Sequence, residues 1–151
     1  MTPASIVRLS ARLIASGALL AAWPLAGYAS PTLDAPLTCD ESAHQFIGDL
    51  ESQQLIDAKP MRVESNSINA FWPTRGADLR AYGFSVFAIV GYEKDDPMFR
   101  QGDGEPLAKS AYGAVVFGSF DKVKAAATNA GSTAIVHRVG PLITAIFCKR
   151  S

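Results

Sequence analysis

The stretch "LRAYGFSVFAIVGY", Leu79–Tyr92, decides how this chain is read. It is rich in aromatic and β-branched residues, the composition of a strand. Tyr82, Phe84, Val86, Ala88 and Val90 alternate with Gly83, Ser85, Phe87 and Ile89. Both sets are largely apolar, whereas a strand with one wet face carries polar residues in one of them. The pattern predicts a single long, central strand, covered on at least one side.

Upstream, "FWPTRGADLR" breaks at Pro73 and Gly76 and reads as a turn. Before it, Arg62–Glu64 and Ser67–Trp72 read as one interrupted strand or two short ones. Downstream, Ala111–Phe117 is a second apolar strand. It echoes the first: Ala81-Tyr82-Gly83-x-x-Val86-Phe87 recurs 30 residues later as Ala111-Tyr112-Gly113-x-x-Val116-Phe117. Two units are too few for a solenoid. Similar packing demands on two strands of one sheet account for the echo.

Two helices flank this centre. Thr38-Cys39-Asp40-Glu41 fits a capping box, and Ala43, Phe46, Ile47 and Leu50 follow at helical spacing toward Gln54. Ser119 is placed to cap a second helix, Phe120–Ala130, with Gly131 just past its end. Its small face carries Val123, Ala127 and Ala130. Thr133–Val139 and Leu142–Cys148 then read as strands joined by a tight turn at Gly140-Pro141. That turn sets a register of Val139 with Leu142, His137 with Thr144, Ile135 with Ile146 and Thr133 with Cys148.

The fold class expected is α+β: one domain, a mostly antiparallel sheet of about five strands and two helices, in the order α-β-β-β-α-β-β. The order is similar to that of type III secretion chaperone domains. The likeness covers no motif, and order alone implies no function.

Three segments organise the chain. At 1–29, Arg8 and Arg12 precede the apolar run Leu13–Ala22 and the small-residue end Gly27-Tyr28-Ala29. A basic start, a short apolar core and a small-residue end mark a cleaved secretory signal peptide. The run is about ten residues, short of the ~20 that span a bilayer as a helix. Residues 30–37 read as an extended lead-in, and 38–151 as the domain. Once the leader's two arginines are gone, 12 basic residues face 14 acidic ones. That balance and the lack of a basic stripe exclude a nucleic-acid partner. The expected location is the periplasm or the exterior, with no membrane span after the leader is removed.

Two cysteines remain, Cys39 and Cys148. In an exported chain an even count favours a disulfide over two buried thiols or a metal pair. No Cys-x-x-Cys is present, and neither cysteine has a histidine nearby in sequence.

Chemistry is sparse. His44 and His137 are the only histidines, and no metal or catalytic spacing links them. Gly-x-Ser-x-Gly and phosphate-binding glycine patterns are missing. "GDGEP", Gly102–Pro106, lies near Asp95-Asp96, yet it does not fit the calcium ligand ladder of an EF-hand. No catalytic residue, metal ligand or cofactor is therefore assigned. The connection Glu93–Ser110 is 18 residues, longer than compact domains ordinarily use. It places Met98 and Phe99 amid charge. With Trp72, at a turn between Phe71 and Pro73, these are the candidate partner contacts. The expected function is non-catalytic: binding a protein partner or small ligand in the cell envelope, through the 93–110 loop, an apolar sheet face or both. The alternative is a small hydrolase-like envelope enzyme using His137 or His44 with a loop carboxylate.

Overall fold

Leu79–Tyr92 is not one strand. Strand β3, Arg80–Ala81, turns back through Tyr82-Gly83 into strand β4, Phe84–Glu93, with Ala81 opposite Phe84 and Arg80 opposite Ser85. Both turn residues have positive φ, 49° at Tyr82 and 84° at Gly83. That is the geometry a two-residue hairpin turn favours, because its twist matches that of the strands. Glycine adopts it freely, whereas a tyrosine needs compensation. Tyr82 has it: its amide donates to Asp34 Oδ1 at 2.6 Å, and its hydroxyl donates to the carbonyls of Leu37 and Asp34. The echo of Ala-Tyr-Gly thus has two different meanings. Tyr82-Gly83 is a turn, while Tyr112-Gly113 lies inside a strand. Val86 and Val116 do share a role, as directly paired partners, and Phe87 and Phe117 meet edge-on beside them.

The structure is a computed structural model that describes Ala22 and residues 29–151. The leader read at 1–29 otherwise lies outside the described residues. The remaining strands are β1 (Arg62–Val63), β2 (Asn69–Phe71), β5 (Ser110–Phe117), β6 (Ile135–Gly140) and β7 (Ile143–Arg150). The helices are α1 (Ala43–Ser52) and α2 (Phe120–Asn129). All pairings between named strands are antiparallel, in the order β1-β2-β4-β5-β7-β6, with β3 on the end of β4. The α+β class holds, with seven strands where about five were expected. The count rises because the segment before Pro73 forms two short strands, one of the two alternatives expected, and because Leu79–Tyr92 divides into β3 and β4.

Both helices pack on one face of the sheet. Phe46, Ile47 and Leu50 of α1 and Val123 of α2 join Ile89, Ala114, Val116 and Ile146 in one core. Gly91 permits the close approach of α1: a Cβ there would lie 2.8 Å from Ile47 Cγ1. The predicted stripe of α1 is correct, but its start is not. Thr38 belongs to a 3₁₀ turn, Pro36–Thr38, and its hydroxyl donates to Ala35 O at 2.7 Å. Cys39 follows with φ 73°, outside any helix. The N-cap is Ser42, whose Oγ accepts the Gln45 amide at 3.1 Å.

The lead-in is not a loose extended arm either. Leu33 and Leu37 are buried; Leu33 N donates to Arg80 O at the start of β3, and Arg80 N donates to Pro31 O. Its carbonyls are met by hydroxyls from across the domain: Pro36 O by Tyr112, Leu37 O by Ser132 at 2.7 Å each, and Thr38 O by Thr133. Burial pushes the Tyr112 phenol above its ordinary value, which keeps it a neutral donor. The Cys39–Cys148 disulfide closes this corner, with the two Cα atoms 5.3 Å apart.

The last hairpin differs from expectation by one residue. Ile135 pairs with Phe147, Val136 with Ile146 and His137 with Ala145. Pro141 and Leu142 form the turn, Gly140 faces Ile143, and Val139 is the extra residue of a bulge. Proline's fixed φ suits the first central turn position, and there it owes the ladder no N–H. A one-residue shift exchanges the faces of a strand. Ile135 and His137 therefore point away from the helices, while Cys148 stays on the helix side. On α2, Gly131 takes the expected left-handed form at φ 76°, but the Ser119 side chain makes no capping bond.

Candidate functional site

The 93–110 loop is a fixed part of the fold. Phe99 is only 6% exposed and packs edge-on against Tyr92, with ring centroids 6.3 Å apart. Met98 lies against Gly48 of α1. Beyond them the backbone is pinned along the β1–β2 turn. Asn69, fully buried, bonds both the amide and the carbonyl of Arg100, and Gly102 N donates to Ser67 Oγ at 3.0 Å. Gly104 N and Leu107 N donate to Ser65 O and Asn66 O. The Met-Phe pair therefore anchors the loop instead of presenting it.

The start of the loop docks on α1. A helix begins with amides that have no partner inside it. Here Ala43 N donates to Ser110 Oγ at 3.1 Å, His44 N to Glu93 Oε2 at 2.7 Å and Gln45 N to Ser42 Oγ. The Glu93 carboxylate also suits the positive end of the helix dipole. His44 Nδ1 contacts Asp96 Oδ2 at 2.5 Å, and Asp96 Oδ1 accepts the Met98 amide. His44 and a loop carboxylate thus meet, as one sequence reading required. His137 does not join them. It lies on the opposite face of the sheet, exposed on β6, a strand at the end of the sheet order. Asp103 and Glu105 of "GDGEP" are exposed, and no group of three or more His, Cys, Asp or Glu among the described residues is placed to hold a metal ion.

The second face of the sheet is the unusual surface. Cross-strand partners share a face. Ala88 with Val115, Phe117 with Ile143, and Ala145 and Phe147 with their β6 partners all point away from the helices. Among the described residues no helix covers them. An antiparallel sheet with one open face normally turns polar residues outward; this one turns out aliphatic and aromatic side chains.

That face has relief. At one end a ridge of three rings runs across β2, β4 and β5. Trp72 meets Phe87, and Phe87 meets Phe117, each pair edge-on with centroids 5.4 Å apart. Trp72 is 43% exposed and Phe117 52%. The bulge between Val86 and Ala88 supplies the extra residue that carries Phe87 outward. At the other end lies an open hollow of about 160 Å³, lined by Ile68, Val90, Leu107, Val115, Ala145 and Phe147. Leu107 comes from the long loop, so the loop contributes to this surface through a residue that sequence reading did not single out. Of the three candidate contacts, Trp72 is on the open face, while Met98 and Phe99 are not. Phe87, Phe117 and Leu107 were missed because an apolar residue in a strand gives no sign of whether its face is covered.

Comparison with protein-family models, with curated proteins and with solved structures finds no match to this chain.

Proposed function

We propose that the protein is an exported, non-catalytic binding protein that docks a protein partner on the open face of its sheet. One observation carries this reading: the exposed ridge Trp72-Phe87-Phe117 adjoins an apolar hollow on a face that no helix of the described residues covers. Exposed apolar patches of this kind mark interaction surfaces more often than chance exposure. The disulfide and the leader-like sequence at 1–29 favour an oxidising compartment, the periplasm or the exterior. No helix among the described residues is long and apolar enough to cross a membrane.

The test is affinity capture from the native envelope with the wild-type chain and with Phe87→Ser/Phe117→Ser. Wild-type protein is expected to retain a partner that the variant loses, with fold and disulfide intact; untagged copies of the chain count among partners. Equal capture by both would overturn the reading. Sequencing the N-terminus of the recovered protein checks export, with cleavage expected after Ala29.

The His44–Asp96 pair supports a second reading, a small hydrolase-like enzyme. A carboxylate on Nδ1 orients an imidazole and leaves Nε2 free to take a proton. A groove of about 240 Å³ beside it is lined by Glu93, Asp95, Asp96 and Gln101. Hydrolysis of a panel of ester and peptide substrates that His44→Ala abolishes would establish it; no turnover of that panel would reject it.

A further inference from the structure

We infer that the occupant of the open sheet face is a second copy of this chain, bound face to face so that the ridge of each protomer fills the hollow of the other. The inference rests on the binding reading above and names its partner.

Self-complementarity is the first argument. A two-fold interface requires that if residue i meets j, then j meets i. A face with a projection at one end and a recess at the other meets that requirement. Along β5 the ridge residue Phe117 ends the strand, and the hollow floor starts at the other end, at Ala111, and runs up to Val115 at the foot of the ridge. Across the sheet, Trp72 and Phe87 share the Phe117 end, while Ile68, Val90 and Phe147 share the other. A two-fold axis between the sheets and across the strands exchanges those ends. It sets each aromatic ridge over the partner's hollow, and two sheets packed this way stand about 10 Å apart with interdigitated side chains.

Charge is the second argument. The outward positions of β4 and β5 from Phe87 to Val90 and from Ala111 to Phe117 carry no charged side chain. Nothing there steers a charged partner. Two identical faces meet without like-charge repulsion at the centre. Arg62 and Lys149 sit at the margins, where an interface rim is ordinarily polar.

Area is the third. The five strands β2-β4-β5-β7-β6, at about 4.8 Å spacing and roughly 20 Å of length, give a plane on the order of 500 Å² before side-chain relief. A standard stable interface buries about 800 Å² per partner, the same scale once projecting rings are counted.

The test uses protein purified after expression of the full chain with its own leader. Sedimentation across micromolar to ~100 µM is expected to show twice the chain mass. Phe117→Glu, with Trp72→Glu as a second variant should the first not fold, is expected to raise the dissociation constant about 100-fold or more, as for a buried aromatic anchor. Circular dichroism and the retained disulfide verify the fold. Phe117→benzoylphenylalanine, irradiated, is expected to cross-link to the Leu107–Ala111 region of another copy. A link between two copies is read as a product of twice the chain mass, which a link within one chain does not give. A dimer untouched by the ridge variants would overturn the proposal and point to pairing at the β6 edge. A monomer whose probe cross-links a different protein overturns the second-copy proposal and leaves the binding reading standing. A monomer with no cross-link in the purified protein overturns the second-copy proposal, and the capture experiment above then decides the binding reading.

Discussion

Phe99 and Phe117 are the same residue type, but their surroundings in the fold are opposite. Phe99 touches Tyr92 and lies near the Cα of Gly91, so its ring fills a core between α1 and β4. Phe117 lies on the open face with half its surface in solvent. Replacing each by serine separates the roles. Phe99→Ser removes a buried ring and buries a hydroxyl; it is expected to cost about 3–5 kcal/mol. Phe117→Ser loses one edge contact and is expected to cost under about 1.5 kcal/mol. Urea denaturation measures both, and equal costs would contradict this assignment. The sequence around Met98 and Phe99 shows two apolar side chains among charges, and no more than that. Whether they turn in depends on Gly48, Gly91 and Tyr92; those neighbours are set by the tertiary fold, not by the local run.

At the scale of an element, the start of α1 shows how a sound local rule chooses wrongly. Thr38-x-x-Glu41 and Ser42-x-x-Gln45 both satisfy the capping pattern, and both precede the same apolar stripe. The choice is made elsewhere. Tyr112 and Ser132 hold the carbonyls of Pro36 and Leu37 in a 3₁₀ turn, and the disulfide fixes Cys39 just beyond it. Ser42→Ala is therefore expected to cost about 1 kcal/mol and to speed hydrogen exchange at the Gln45 amide. Thr38→Ala should leave that amide's exchange unchanged. Faster exchange in the Thr38 variant alone would restore the earlier start. The hairpin of β3 and β4 and the register of β6 and β7 were misread for a related reason. "AYGF" is as apolar as the strand around it, so only the positive φ of Tyr82, held by Asp34 and Leu37, exposes the turn. The alternation of Ile135, His137 and Val139 fits either register, and the bulge at Val139 decides between them. The stripe of α1, the extent of α2, the antiparallel class and the disulfide were legible because each rests on spacing or count alone.

The described residues form two layers, a sheet with both helices on one face and none on the other, and the one disulfide belongs entirely to the helix side. The chain's apolar strands were legible; that one of their faces lacks a cover was not, because a strand buried on both faces and a strand with an apolar exposed face have the same composition. Cys39 and Cys148 join the lead-in to the last strand across 109 residues of chain. A loop of that size removes much of the freedom of the unfolded chain, so the Cys39→Ala/Cys148→Ala variant is expected to lose about 2–5 kcal/mol. For a domain of about 120 residues that lowers the melting temperature by on the order of 10 °C. The loss should fall short of the loop-closure maximum if the hydroxyls of Tyr82, Tyr112, Ser132 and Thr133 hold residues 34–38 without the bridge. Reduction of the native protein should add the mass of two hydrogens, confirming that the bridge forms. The self-association of the double variant, compared at a temperature where it remains folded, should equal that of the native chain, because the bridge and the ridge lie on opposite faces. A variant of unchanged stability would mean that the hydroxyl network alone fixes the lead-in. A variant that folds but no longer associates would mean that the open face takes its shape from the covered one.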